Sequence, residues 1–182
     1  MKNFFIYVWE VIKIVILACL IVAPIRLFIF QPFFVKGQSM EPNFENGDYL
    51  FVDELSYRLK EPQRGEVVVF KYPNDVSQRY IKRIIGLPGE TVETKDGKVD
   101  IFNKDGEKVL KEENYIPQGV LTLGDVKITL KENEYFVLGD NRVASSDSRR
   151  WGPVPREDII GRVFFRVWPL ATLTKFGAPV YE

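Results

Sequence analysis

The chain opens on an apolar run and then changes period. From Phe4 to Phe34 most residues are apolar, broken by Glu10, Lys13, Arg26 and Gln31. The longest charge-free piece, Ile14 to Ile25, is shorter than the ~20 residues that cross a bilayer. Glu10 and Lys13 can pair at i, i+3, and Lys13 and Arg26 can extend towards headgroups. Tyr7 and Trp9 suit an interfacial aromatic belt. The pattern predicts one transmembrane helix over about residues 7–30, kinked near Pro24. An interfacial helix and a helix buried in the domain are the alternatives. A cleaved leader would need a small-x-small site after its apolar region, but the run continues past Ala18 and Ala23 is followed by Pro24. A lipoprotein site at Cys19 is opposed by the apolar Leu20 to Val22 directly after it, so Cys19 reads as a lipid-facing or packing residue. Lys2 and Lys13 on one side balance Arg26 and Lys36 on the other, so the charges leave the orientation open.

After this run the period falls to about 2 and no long amphipathic helix follows. The pattern predicts strands at Tyr49 to Asp53, Glu66 to Tyr72, Arg79 to Ile85, Glu90 to Thr94, Lys98 to Phe102, Glu134 to Leu138 and Gly161 to Val167. Val, Ile, Phe and Tyr recur in them, as in pleated surfaces generally. Asp96-Gly97 and Asp105-Gly106 are hairpin signals, which make about residues 90–112 a β-hairpin excursion. Pro88-Gly89 ends the strand before it. A short helix is expected at Ser56 to Lys60. The fold class is mainly β: an antiparallel β domain, residues 33–182, on an N-terminal tip and anchor, residues 1–32.

Composition narrows the chemistry. The 182 residues are 46% hydrophobic and 14% aromatic, enough for a real core. Lys+Arg and Asp+Glu balance at 25 each, so no basic excess points to nucleic acid. There is no histidine and one cysteine, so neither an intramolecular disulfide nor a Cys/His zinc site can form. A carboxylate-based Mg²⁺ or Ca²⁺ site stays open, though no calcium-loop spacing occurs.

Without histidine, a Ser-His-Asp arrangement is impossible, and that turns attention to Ser39. It lies in Gly37-Gln38-Ser39-Met40-Glu41-Pro42, just after the apolar run. Gly37 allows close substrate approach, and Pro42 stiffens the chain three residues on. An ordinary loop serine with a local hydrogen bond fits the same residues. Lys82, in Tyr80-Ile81-Lys82-Arg83-Ile84-Ile85, is the candidate proton acceptor. Alternation puts Tyr80, Lys82 and Ile84 on one strand face, with Ile81, Arg83 and Ile85 on the other. An unperturbed lysine is only about one part in a thousand neutral near pH 7, whereas burial can lower its pKa by up to ~3–5 units. A strand lysine reaching to solvent is the plainer reading. Lys36 is the competing base, three residues from Ser39 but close to the anchor. A third segment, Gly139-Asp140-Asn141-Arg142-Val143-Ala144-Ser145-Ser146-Asp147-Ser148-Arg149, is dense in hydroxyls and charges. It is either a solvated loop or the support of a site. Its Asp140, Asp147, Arg142 and Arg149 can pair with each other or with Arg83, and Ser145 can hold a neutral lysine in line.

Taken together these segments resemble bacterial type I signal peptidases. Ser39-Met40-x-Pro42 is similar to the family's nucleophile motif, and Gly47-Asp48-Tyr49-Leu50-Phe51-Val52 to the strand after it. Tyr80 to Gly89 resembles the general-base motif. Gly139-Asp140-Asn141-Arg142, Ser145, Asp147, Ser148 and Arg149, followed by Trp151-Gly152, resemble the last motif. The resemblance implies a membrane-bound serine endopeptidase with a Ser39/Lys82 dyad, acting on preprotein signal peptides with small residues at the first and third positions before the cut. It implies a single-pass cell-membrane protein, amino terminus cytoplasmic and catalytic domain outside. By the family pattern Ser145 orients Lys82, Arg83, Asp140, Asp147 and Arg149 brace the site, and Met40 lines the pocket for the small residue.

Two departures stand out. Some members carry a serine two positions before the nucleophile, where this chain has Gly37, which leaves the oxyanion to the Ser39 backbone N–H and other main-chain donors. Asn43 stands where threonine is common, with only a local effect expected. Three other functions fit parts of the pattern: a self-cleaving Ser/Lys protease, a peptidase dedicated to one pilus or conjugation substrate, and a tethered β domain that binds preproteins without cutting them.

Overall fold

Val67-Val68-Val69-Phe70 lies at the centre of the molecule, and all four side chains are buried. A strand covered on both faces reads as a continuous apolar run rather than an alternating one. The computed structural model describes residues 2–28, 30–110, 116, 119–169 and 173–176. In chain order it has α1 (Lys2–Phe28), β1 (Phe30–Phe34), β2 (Tyr49–Asp53), α2 (Ser56–Leu59), β3 (Val67–Tyr72), β4 (Asp75–Gly86), β5 (Thr91–Lys95) and β6 (Lys98–Phe102). There follow β7 (Lys108–Leu110), β8 (Val126–Thr129), β9 (Glu134–Leu138), α3 (Ser148–Trp151), β10 (Val154–Pro155), β11 (Ile159–Trp168) and β12 (Thr174–Lys175).

The large sheet runs β1-β2-β11-β3-β4-β9-β10, with β12 beside β11, and every pairing in it is antiparallel. One face of β3 joins Val67 and Val69 to Met40, Phe44, Leu50 and Val52. The other joins Val68 and Phe70 to Tyr57, Ile84, Tyr135 and Val137. A second sheet, β7-β6-β5-β8, packs Val92, Val99 and Ile101 against Ile85, Phe136 and Leu138 of the large one.

The predicted strands are present, with ends moved by a few residues. Asp96 and Gly97 both have positive φ, 51° and 75°, as a two-residue I′ hairpin between Lys95 and Lys98 requires. The excursion expected over about 90–112 extends further, because β8, after a long connection, pairs with β5. Residues 111–112 lie outside the described residues. At the amino terminus the helix runs from Lys2 through Pro24 to Phe28. Phe30–Phe34, expected to fall mostly in the anchor, is instead a strand paired with β2. β2 supplies the partners for that backbone.

The described side chains of α1 are exposed, including Ile6, Trp9, Ile14, Leu17 and Leu20. They are described without a break only from Ile6 to Leu20. Among the described residues no helix is long and apolar enough to cross a membrane.

The two sheets approach closely at Gly86. A Cβ there would lie 2.5 Å from Val92 Cγ2 and 2.8 Å from Leu130 Cδ1. Gly86→Ala is expected to destabilise the protein by ~1–3 kcal/mol through overpacking. Denaturant unfolding of the full-length protein in detergent, followed by tryptophan fluorescence, checks this; an unchanged midpoint would mean the sheets can separate freely.

Candidate active site

β4 carries Lys82 into the interior. On one edge Lys82 pairs with Val68, and it lies between Tyr80 and Ile84, both part of the same core cluster. On the other edge β9 pairs with β4 only as far as Arg83, opposite Leu138. The next residue of that chain, Gly139, leaves the sheet. Among the described residues Lys82 is thus the first position of β4 whose second edge is open, and two loops converge on it: residues 35–48 and residues 139–147.

The first loop is pinned at both ends. The Val35 N–H donates to the Asp48 carbonyl at 2.9 Å, and the Gly47 N–H to the Val35 carbonyl at 3.0 Å. Arg166 donates to the Asn43 carbonyl at 3.0 Å and to Asp48 Oδ2 at 2.9 Å. Met40 and Phe44 anchor the middle of the loop in the core, so half-buried Ser39 is held rather than free to swing. Lys82 Nζ lies 2.6 Å from Ser39 Oγ and 2.8 Å from the Ile81 carbonyl.

Lys82 is 4% exposed. Burial pushes its amine down to about 8, against the opposing pull of Asp147 and Asp140. At that value about a tenth is neutral at pH 7, roughly two- to three-hundredfold more than for an ordinary lysine. Lys36, the competing base, is exposed.

Each of the two carboxylates is already paired. Arg83 grips Asp140 through two bonds, Nε to Oδ1 at 2.8 Å and Nη2 to Oδ2 at 2.6 Å, and donates Nη1 to the Gly65 carbonyl at 2.9 Å. Asp147 receives Arg149 Nε and Nη2, each at 2.8 Å, and the Gly139 N–H at 3.1 Å. Asp147 also caps α3 by accepting from the Arg149 N–H. Such paired, hydrogen-bonded burial is the condition under which a buried charge is tolerated.

Ser145 is buried beside this cluster. Its Oγ makes no hydrogen bond, to Lys82 or any other group, among the described residues. It packs on Gly139, where an added Cβ would collide with Ser145 Oγ and the Ser39 carbonyl. The Asn141 N–H donates to that carbonyl at 3.1 Å.

An open cleft of about 410 Å³ runs up to the Ser39–Lys82 pair. Its walls are residues 33–39 and 79–82, with Leu50, Val69 and Ile81 as an apolar floor. Met40, expected to line the pocket, does not. Its side chain points into the core below, with Val35, Phe44 and Leu50. Gly37 has φ 93°, and its N–H is committed to Asn46 Oδ1 at 2.9 Å. Among the described residues no group of three or more His, Cys, Asp or Glu could hold a metal ion.

Asn43, where only a local effect is expected from the sequence, makes a long-range contact. Its Nδ2 donates to Asp140 Oδ2 at 2.9 Å, so it ties the nucleophile loop to the Arg83–Asp140 pair. The two residues are 97 positions apart, and nothing local signals the contact. Arg142 donates to Thr122 Oγ1 and the Gly139 carbonyl.

A family model described as "Signal peptidase, peptidase S26" matches residues 8–168. The chain is 40% identical over 168 residues to a probable signal peptidase I-2 of Synechocystis sp., covering 88% of this chain and 73% of that one. It is 38% identical over 179 residues to a signal peptidase I of Leptolyngbya laminosa, with 93% and 84% covered. A crystal structure of a signal peptidase I from Enterococcus faecalis V583 aligns with 57% of this chain and 97% of its own, at 35% identity and a TM-score of 0.46.

Lys82 is expected to titrate with a midpoint near 8. Asp147→Asn is expected to lower that midpoint, because it removes a charge that favours the ammonium. A ¹³C NMR titration of the lysine ε-carbons, with Lys82→Arg identifying the signal, measures both. A midpoint near the ordinary lysine value would show that the amine is solvated.

Proposed function

This chain belongs to the signal peptidase family, peptidase S26, a membership that supports removal of signal peptides from preproteins, and we propose that it acts as a membrane-anchored Ser/Lys endopeptidase through an acyl-enzyme. The observation that carries the reading is the 2.6 Å contact between Ser39 Oγ and a buried lysine whose pKa is pushed down to about 8.

In this reading neutral Lys82 takes the Ser39 hydroxyl proton as Oγ bonds to the scissile carbonyl carbon. The oxyanion is held by the Ser39 N–H. The Gly37 N–H is spent on Asn46, and Gly37 has no hydroxyl to offer. The intermediate collapses, the C–N bond breaks, and Lys82 returns the proton to the leaving amine. Lys82 then deprotonates a water that attacks the ester and frees Ser39. Ser145, against Gly139, is the group available to orient the amine, while Arg83, Asp140, Asp147 and Arg149 fix the loops. No step calls for a metal or an organic cofactor.

The substrate is proposed to be extended, with small residues at the first and third positions before the cut. The floor of Leu50, Val69 and Ile81 suits short apolar side chains. The unpaired edge of β4 before Arg83 offers main-chain groups for strand addition.

The helix Lys2–Phe28 is proposed as a single-pass anchor with its amino terminus in the cytoplasm, and the β domain as extracytoplasmic. At ~1.5 Å per residue, 27 residues reach roughly 40 Å, more than the ~30 Å hydrocarbon core. The Lys13–Glu10 ion pair, at 2.7 Å, lowers the cost of two charges near an interface.

Cleavage of a preprotein with an Ala-x-Ala site tests the chemistry. Ser39→Ala and Lys82→Ala are each expected to lower kcat by at least about 10³-fold. Undiminished cleavage by either variant would sink the dyad, and a Lys36→Ala enzyme as inactive as Lys82→Ala would transfer the base role. The pH dependence follows from the sign of the shift. A base works when neutral, so kcat/KM should rise with pH and level off above about 8. A rate still rising at pH 10 would refute a desolvated amine.

A further inference from the structure

The far end of the cleft is cationic. Lys36 and Arg79 line it, each three residues before its catalytic neighbour, Ser39 or Lys82. Lys71 on β3 stands directly opposite Arg79 on β4. Residues paired this way have Cβ atoms ~4.5–5.5 Å apart, and like charges there repel. All three side chains are exposed, and among the described residues none forms an ion pair. Lysines elsewhere on the surface do: Lys104 with Glu132, Lys127 with Glu93 and Lys131 with Glu134. Among the described residues no carboxylate lines the cleft. Glu54 feels Arg79 but also Arg58, its pKa is raised by burial, and its Oε1 has no hydrogen-bond partner. A repelling pair at the mouth of a cleft without acids is a cost that an anionic occupant would remove.

Direction comes from the walls. Residues 36–39 and 79–82 both run towards the dyad, and Arg79 lies three residues, or ~10 Å, from Lys82 along β4. Arg79 shares a strand face with Ile81, which forms part of the apolar floor. If small side chains at the first and third positions before the cut sit on that floor, the chain upstream of them passes the cations. We propose that Arg79, Lys71 and Lys36 form an anion-selective subsite for substrate side chains at the fourth and fifth positions before the cut, favouring Asp and Glu and rejecting Lys and Arg. The subsite rests on the endopeptidase reading above.

The test uses full-length enzyme in neutral detergent and one Ala-x-Ala peptide carrying Asp, Gln or Lys at those two positions. At low salt kcat/KM is expected to fall in that order, with Asp exceeding Lys by about 5–30-fold. The ratio should shrink towards one at about 0.5 M salt and in the Lys71→Gln/Arg79→Gln variant. An Asp-to-Lys ratio near one in the wild type, with the Gln peptide still cut, overturns the subsite and leaves the endopeptidase standing. Failure to cut any of the peptides overturns both. A ratio that persists in the double variant overturns the assignment to these residues. A ratio near one, with the double variant losing affinity for phosphatidylglycerol vesicles, also overturns it and assigns the cations to lipid phosphate.

Discussion

The Arg83–Asp140 ion pair is the contact on which the site depends. Arg83 is the neighbour of Lys82 on β4, and Asp140 is the second residue after β9. Joining them closes the gap where β9 leaves the sheet. Asn43 adds the nucleophile loop to the same carboxylate, and the Gly65 carbonyl takes a further guanidinium N–H. Four segments distant in sequence are thereby held around one buried pair, at 6% and 2% exposure. Removing one partner from such a pair typically costs ~3–5 kcal/mol, because the other charge is left buried and alone.

The same pairing sets the electrostatics of Lys82. Desolvation alone favours the neutral amine, and two nearby carboxylates oppose it. Asp140 is matched by Arg83 and Asp147 by Arg149, so each carboxylate carries its own counter-charge. Their pull on Lys82 is weakened, and burial keeps the upper hand. The arginines thus allow carboxylates to brace the loops without locking the amine in its charged form.

The second sheet contributes at a distance. Its β5–β6 hairpin receives the Thr122 N–H at the Gly97 carbonyl, 2.8 Å away. Thr122 Oγ1 accepts from Arg142 at 2.6 Å, and the Leu123 carbonyl accepts from Arg149 at 2.7 Å. Residues 139–150 are therefore gripped between the large sheet and a segment resting on the small one. This places Ser145 firmly beside Gly139.

Periodicity and composition by themselves determined the β class, most strand positions and the Asp96-Gly97 turn, because these follow from alternation and local backbone preference. The absence of histidine left Lys82 as the candidate base on a strand, and alternation set it between Tyr80 and Ile84. Sequence could not say that Phe30–Phe34 is a strand, since an apolar stretch reads alike as anchor or as sheet edge until β2 pairs with it. Nor could it place Met40 beneath the cleft floor, join Asn43 to Asp140, or set Lys71 opposite Arg79. Those are contacts between segments far apart in the chain, fixed by strand register and by where β9 ends. The burial that lowers the Lys82 pKa also arises only when the loop carrying Ser39 and the Gly139–Asp147 segment close over β4.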